Sequence, residues 1–212
     1  MTDRERETLP SERTPSKTWI GSIVLVSSSP RRQAILRQIG IPFRVFEPEV
    51  DESADESDPP IHAMTVARRK LEAYLAAAPE RREWALAADT IVLLGRRIIG
   101  KPADRNEARQ ILTTLSGREH TVITAVAVYN PANRGVVVDT ASTTVVFARL
   151  DAAEIEGYLA TDEWKDVAGG YRIQERGGLL IESIRGSFTN VVGLPIRTFY
   201  GMVSAQGFSL LP

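Results

Sequence analysis

The residues of this 212-residue chain with types and spacing suited to chemistry fall in three places. The first is residues 24–32, VLVSSSPRR, where an apolar run meets three serines, a proline and two arginines. Hydroxyls, backbone N–H groups and guanidinium groups at the start of a helix make an anion site, with phosphate the natural guest. The same residues also fit a capped surface helix with two solvated arginines. The second is Asp89, which interrupts the apolar run WALAADTIVLL. A carboxylate in a buried strand is costly unless it is paired or bound to a cation. No neighbour in sequence offers a partner, which favours a functional role over a structural one. The third is the stretch 47–58, with seven acids and no base. Such a run is ordinarily a solvated loop, although one or two of its carboxylates could face a metal.

These groups need regular structure to position them. Residues 23–26 read as a buried strand. Ser29 is placed as an N-cap with Pro30 at the first helical position; the helix that follows puts Ile35, Leu36 and Ile39 on one face and stops at Gly40. Residues 43–46 read as a second strand. Asp58 and Pro59 open a helix to about residue 78 with Ile61, Ala67, Leu71, Tyr74 and Leu75 as its apolar face; Arg68, Arg69 and Lys70 are most simply solvated. Residues 84–94 are expected to form a central buried strand, and RRIIGKP a return strand and turn ending at Lys101. Asp104 with Glu107 opens a helix to residues 116–117, and Asp151 with Glu154 opens another to about residue 161. Between them lies a long hairpin, 120–129 and 136–147. Residues 162–178 form a glycine-rich loop of a length that is often functional. A strand over 179–184, a second loop over 186–195 and a helix opened by Pro195, with Ile196, Phe199 and Val203 on one face, complete the chain. Strand–helix units mixed with a hairpin predict an α/β fold with a mixed sheet, parallel near the start and antiparallel in the middle.

Composition excludes several function classes. With 43% hydrophobic and 25% charged residues the chain reads as an ordinary globular domain. A net charge of −1 argues against a nucleic-acid partner. No apolar run approaches the roughly 20 residues of a membrane span. The absence of cysteine excludes disulfides, thiolate metal sites and a cysteine nucleophile, and it suits a cytoplasmic location. His62 and His120 are too few for a histidine metal cage, and each reads as a surface or packing residue. Residues 1–18 are expected to be a disordered extension, and 19–212 the domain.

The ordered set SSSPRR, ARRK, AADTIV, GKP, LSGREHTVITAVAV, AGGYRIQ and GSFTNVVGLPI resembles the Maf family of nucleotide pyrophosphatases, from about residue 23 to 199. The resemblance implies a twisted mixed sheet flanked by helices around a central nucleotide-binding cleft, similar to the inosine-triphosphatase fold, and a homodimer. It also implies hydrolysis of nucleoside triphosphates to the monophosphate and pyrophosphate with Mg²⁺ or Mn²⁺. Arg31, Thr90 and Gln174 resemble the dTTP/UTP pyrophosphatase type, whereas the sister subgroup acting on 7-methyl-GTP resembles S-P-W-R-R, S-D-Q and K-S-E at these places. By the same resemblance Asp89 is the proton acceptor and, with Glu52, lies at the metal. Lys70 and Lys101 match lysines of the phosphate site, with Ser29 and Arg32 beside them. Arg31 and Arg32 would then bind phosphate oxygens in forked geometry, and Thr90 and Gln174 would hydrogen-bond a pyrimidine edge.

Two positions depart from that pattern. Glu175 follows Gln174 where the family usually reads Y-x-I-Q-G, which puts a charge at the rim of the base pocket, and Val167 stands where lysine is frequent. The function expected is clearance of non-canonical or excess pyrimidine triphosphates. The alternatives are a nucleotide-binding regulator of cell division, disfavoured by Asp89, Lys101 and the paired arginines, and a purine-directed pyrophosphatase, disfavoured by Thr90 and Gln174.

Overall fold

Alternation along the strands decides which helix each residue meets. The computed structural model describes residues 17–53, 58–80 and 83–211. Its sheet has seven strands: β2 (Ile23–Val26), β3 (Phe43–Phe46), β4 (Trp84–Leu94), β5 (Arg97–Ile99), β6 (Glu119–Asn130), β7 (Gly135–Phe147) and β8 (Ile181–Arg185). The order is β3-β2-β4-β6-β7-β8, with β5 paired to the far end of β4. The pairs β3–β2 and β2–β4 are parallel and the others antiparallel, so β4 is the seam between the two halves.

On one face Leu25, Leu86 and Ala88 pack with Ile35 and Leu36 of α1 (Pro30–Gln38) and with Phe199 and Val203 of α6 (Ile196–Ser204). On the other face Val24, Val26, Ala85 and Ala87 pack against Ala63, Ala67, Leu71 and Tyr74 of α2 (Pro59–Ala77). A third cluster closes the hairpin end. There Val122, Val145 and Phe147 meet Leu112 and Leu115 of α3 (Arg105–Leu115) and Ile155 and Leu159 of α4 (Ala152–Leu159). Burying the Val, Leu, Ile and Phe side chains among these, at about 1.5–3 kcal/mol each, is the main force holding the layers together. Among the described residues no helix is long and apolar enough to cross a membrane.

Several expectations need correction. Ser29 and Asp58 occupy N-cap positions, but neither side chain makes a cap hydrogen bond. Asp104 does cap α3, and Asp151 with Glu154 forms a complete capping box. The stretch expected as a loop over 186–195 contains a short helix, α5 (Phe188–Val192), which the Ser187 hydroxyl caps by accepting from the Asn190 N–H. Five residues are too few to display a helical period. The last strand of the main sheet begins only at Ile181, because 176–180 is a 3₁₀ turn. Two further strands, β1 (Thr18–Trp19) and β9 (Phe208–Ser209), pair in parallel as a separate two-stranded sheet. Thr18 is therefore within regular structure, and residues 1–16 of the expected extension lie outside the described residues.

Candidate active site

The site arises where β4 outruns its parallel neighbour. The last paired residue of β2, Val26, sits opposite Ala87, while β4 continues to Leu94. β2 turns away into α1 at this point, so a crevice opens at the carboxyl end of the parallel strands, the usual ligand position in open α/β sheets. Asp89 and Thr90 are the β4 residues beside it. Asp89 continues the face of Ala85 and Ala87 and so points at α2; Thr90 continues the face of Leu86 and Ala88 and points at α1 and α5. The cleft is about 970 Å³. It brings together all nine residues singled out above: Ser29, Arg31, Arg32, Glu52, Lys70, Asp89, Thr90, Lys101 and Gln174.

On the α2 side the expectation of a solvated Lys70 and an unpartnered Asp89 is corrected. Lys70 is buried and donates to Asp89 Oδ1 at 2.8 Å; its ammonium also meets Glu52 Oε1 at 2.7 Å. Asp89 Oδ2 has no hydrogen-bond partner among the described residues. Arg69 donates to the carbonyls of Asp51 and Ser53, and Asp51 accepts from the Ser53 N–H and hydroxyl, which ties the acidic stretch to α2. Lys101, delivered by the β4–β5 hairpin, lies 3.9 Å from Glu52 Oε2 and is largely exposed. Burial opposes the Glu52 charge, but the hydrogen bond from Lys70 and the charges of Lys70, Lys101 and Arg32 outweigh it and hold the carboxyl below its ordinary range.

On the α1 side Arg32 is buried and already directed by the protein. Nε donates to the Gly193 carbonyl at 2.8 Å, one terminal nitrogen to Ser27 Oγ at 3.0 Å and the other to Thr90 Oγ1 at 3.1 Å. A guanidinium carries five N–H groups, so two are left for a ligand rather than an open fork. Burial lowers its pKa to about 10, with Asp89 opposing, and it remains a cation at neutral pH. Thr90 is likewise committed. The Thr124 hydroxyl gives its only proton to the Asn190 carbonyl at 3.0 Å, so in the 2.9 Å contact between the two threonines the proton comes from Thr90. Thr90 retains one lone pair, a narrower role than the free donor and acceptor expected on a pyrimidine edge. Gly193 ends α5 at φ +118°, and a Cβ there would lie 3.3 Å from Thr90 Oγ1 and 3.7 Å from Arg32 Nε.

At the mouth Arg31 makes no hydrogen bond among the described residues and is half-buried. Burial, then the neighbouring Arg172 charge, lowers its pKa, against Glu175 and Asp166. Gln174 and Glu175 complete the rim.

The sequence profile described as Maf-like protein matches residues 22–206. The chain is a member of the Maf family. Among Maf relatives, the dTTP/UTP pyrophosphatase of Anaeromyxobacter dehalogenans is 42% identical over 191 residues, covering 89% of this chain and 95% of the relative. That of Symbiobacterium thermophilum is 44% identical over 189 residues, again covering 89% and 95%. Among solved structures, a nucleoside-triphosphatase from Mycobacterium abscessus aligns with a TM-score of 0.42 and 17% identity, over 87% of this chain and 94% of that one.

Sequence reasoning missed four contributors to this Maf site: Ser27, Gly193 and Thr124, which hold Arg32 and Thr90, and Arg172 at the mouth. The serine run and the GLP glycine were visible in the sequence, but their roles depend on contacts between distant segments. Of the two histidines, His120 is a packing residue, bonded through Nε2 to the Tyr171 hydroxyl, whereas His62 lines the cleft.

Proposed function

We propose that this chain hydrolyses pyrimidine nucleoside triphosphates of the dTTP and UTP type, including modified pyrimidines, to the monophosphate and pyrophosphate, with Mg²⁺ or Mn²⁺ bound. The observation that carries this reading is the convergence of Asp89, Lys70 and Glu52 in a cleft that also holds Arg31, Arg32 and Lys101. The likeness to relatives named dTTP/UTP pyrophosphatase supports the substrate.

In this reading the triphosphate lies along the cations. The first turn of α1 has N–H groups with no acceptor inside the helix, and these receive phosphate oxygens near Ser29. Arg31 turns its uncommitted guanidinium to the substrate, Arg32 adds its two remaining N–H groups, and Lys70 and Lys101 act as point charges. Asp89, held through Oδ1 by Lys70, takes a proton from water through Oδ2. A new P–O bond forms at the α-phosphorus as the bond to the bridging oxygen breaks, and pyrophosphate leaves with that electron pair. The lysines and arginines neutralise the charge that develops.

A divalent cation fits Glu52 and Asp89. Both are hard oxygen donors, and both already converge on one cation, the Lys70 ammonium. No group of three metal-ligating side chains occurs among the described residues. Mg²⁺ takes one or two carboxylates and completes its shell from water and phosphate oxygens. When bound, such an ion supplies further charge neutralisation at the phosphates. The homodimer and cytoplasmic location belong to the same proposal.

The test is pyrophosphate release from a panel of canonical and modified triphosphates, with and without metal, by the full chain and by Asp89→Asn. Metal-dependent turnover of dTTP and UTP that collapses in the variant is expected. Binding without turnover overturns the reading in favour of a regulator, and a purine preference overturns the substrate.

A further inference from the structure

We propose that Glu175 is a specificity-determining residue: by holding the amide nitrogen of Gln174, it fixes which hydrogen-bonding edge of a pyrimidine the cleft reads. The inference rests on the pyrimidine triphosphate reading above. By the resemblance given above, Glu175 stands where the family pattern usually reads glycine. Its φ of −121° is ordinary for a residue with a side chain, so the path of the chain makes no demand for glycine here.

Both oxygens of the carboxylate are engaged. Oε1 accepts from Gln174 Nε2 at 3.2 Å, and Oε2 accepts from Arg172 at 3.4 Å. Arg172 donates in turn to the Lys165 carbonyl at 3.2 Å, and the Glu175 N–H donates to the Arg172 carbonyl at 3.2 Å. The carboxylate is thereby anchored to loop backbone. An ionised carboxylate only accepts hydrogen bonds. It admits the NH₂ end of the Gln174 amide and turns the carbonyl oxygen away from itself.

A primary amide can read a pyrimidine in two ways. Against uracil or thymine, its oxygen accepts from the ring N3–H and its N–H donates to the adjacent ring carbonyl. Against cytosine, its oxygen accepts from the exocyclic amine and its N–H donates to N3. For a base held in one place these pairings need the amide turned end for end. A glutamine with no tether makes either turn; one held through its nitrogen makes one. Glu175 therefore sharpens the choice between imide bases and amino bases, and a glycine at this position relaxes it. The names of the relatives point to the imide as the favoured class.

The carboxylate also offsets the charge of Arg31, whose environment includes Glu175. Removing it makes the mouth more positive and tightens every triphosphate alike. The ratio of two triphosphates cancels that effect, so the ratio is the proper readout.

The experiment measures kcat/KM for UTP and for CTP with the full chain, Glu175→Gly and Glu175→Ala. Residue 175 is exposed, and the variants are expected to fold. The UTP-to-CTP ratio should fall by roughly five- to tenfold in both, the value of one charge-assisted hydrogen bond at an exposed site, with the gain on the CTP side. Gln174→Ala should lose the preference as well. A ratio within about twofold of the parent in both Glu175 variants overturns the proposal. If the parent chain turns over neither UTP nor dTTP, the functional reading fails and this inference falls with it; turnover with an unmoved ratio fails this inference alone.

Discussion

Lys70 on α2 and Asp89 on β4 form a buried ion pair at 2.8 Å, and the same ammonium reaches Glu52 at 2.7 Å. One cation thus compensates two carboxylates, with Lys70 and Asp89 buried and Glu52 on the exposed side of the cleft. Lys70→Met leaves the buried Asp89 carboxylate without its counter-charge, and removing one partner of such a pair costs about 3–5 kcal/mol. Asp89→Asn keeps the shape and removes the charge, and is expected to cost much less stability while abolishing turnover. Urea midpoints and pyrophosphate release separate the two effects. Equal stability losses in both variants would show that the pair does not act as described.

Gly193 tests how Arg32 is aimed. Gly193→Ala places a Cβ in a left-handed backbone, costing about 1–3 kcal/mol, and crowds Thr90 and Arg32 together. The KM for the triphosphate should rise more than kcat falls, because a binding cation is displaced while Asp89 is untouched. A variant with lowered stability but parental KM would remove Gly193 from the binding machinery.

His120 predicts a pH dependence of stability. It is buried against Phe147 and Tyr171, and burial pushes its pKa from 6.5 down to about 4. The unfolded chain therefore binds the proton first. The stabilisation from neutral His120 is complete above pH 6.5 and is lost as pH falls toward 4, up to about 3 kcal/mol in total. Urea midpoints measured from pH 7 down to 4 should show this slope, and His120→Gln should flatten it. A parental slope retained in that variant would assign the dependence to other groups.

Glu52 predicts the metal requirement. Chelation should abolish turnover, and Mg²⁺ or Mn²⁺ should restore it. In Glu52→Gln the Mg²⁺ concentration for half-maximal rate should rise by roughly tenfold or more, because the proposed metal position has Glu52 as one of its two hard anionic ligands. An unchanged requirement would leave Glu52 as a partner of the lysines only.

Much of the fold was legible because strand patterns are local. The bounds of β2, β3 and β4 match the expected runs, since β-branched and aliphatic clusters bracketed by polar turns have few alternatives. α5 was not legible, being a single turn and a half stabilised by a serine cap and by packing. The grouping of Asp89 with Lys70 could not be read from periodicity. The alternation of β4 aims Asp89 at one face, but only the packing of α2 shows which helix residue meets it. The pattern that resembles the Maf family supplied that grouping. The spent hydroxyl of Thr90 and the directed guanidinium of Arg32 were visible to neither approach, because their partners Thr124, Asn190 and Gly193 belong to other segments.

The bond from Arg32 to the Gly193 carbonyl spans 161 residues. During synthesis the strand carrying Asp89 and both cleft lysines leave the ribosome long before the carbonyl that aims Arg32. A chain ending before Gly193 would carry Lys70, Asp89 and Arg32 but lack the carbonyl to which Arg32 Nε donates. The direction in which Arg32 points is thus set by a segment made 161 residues after the arginine itself.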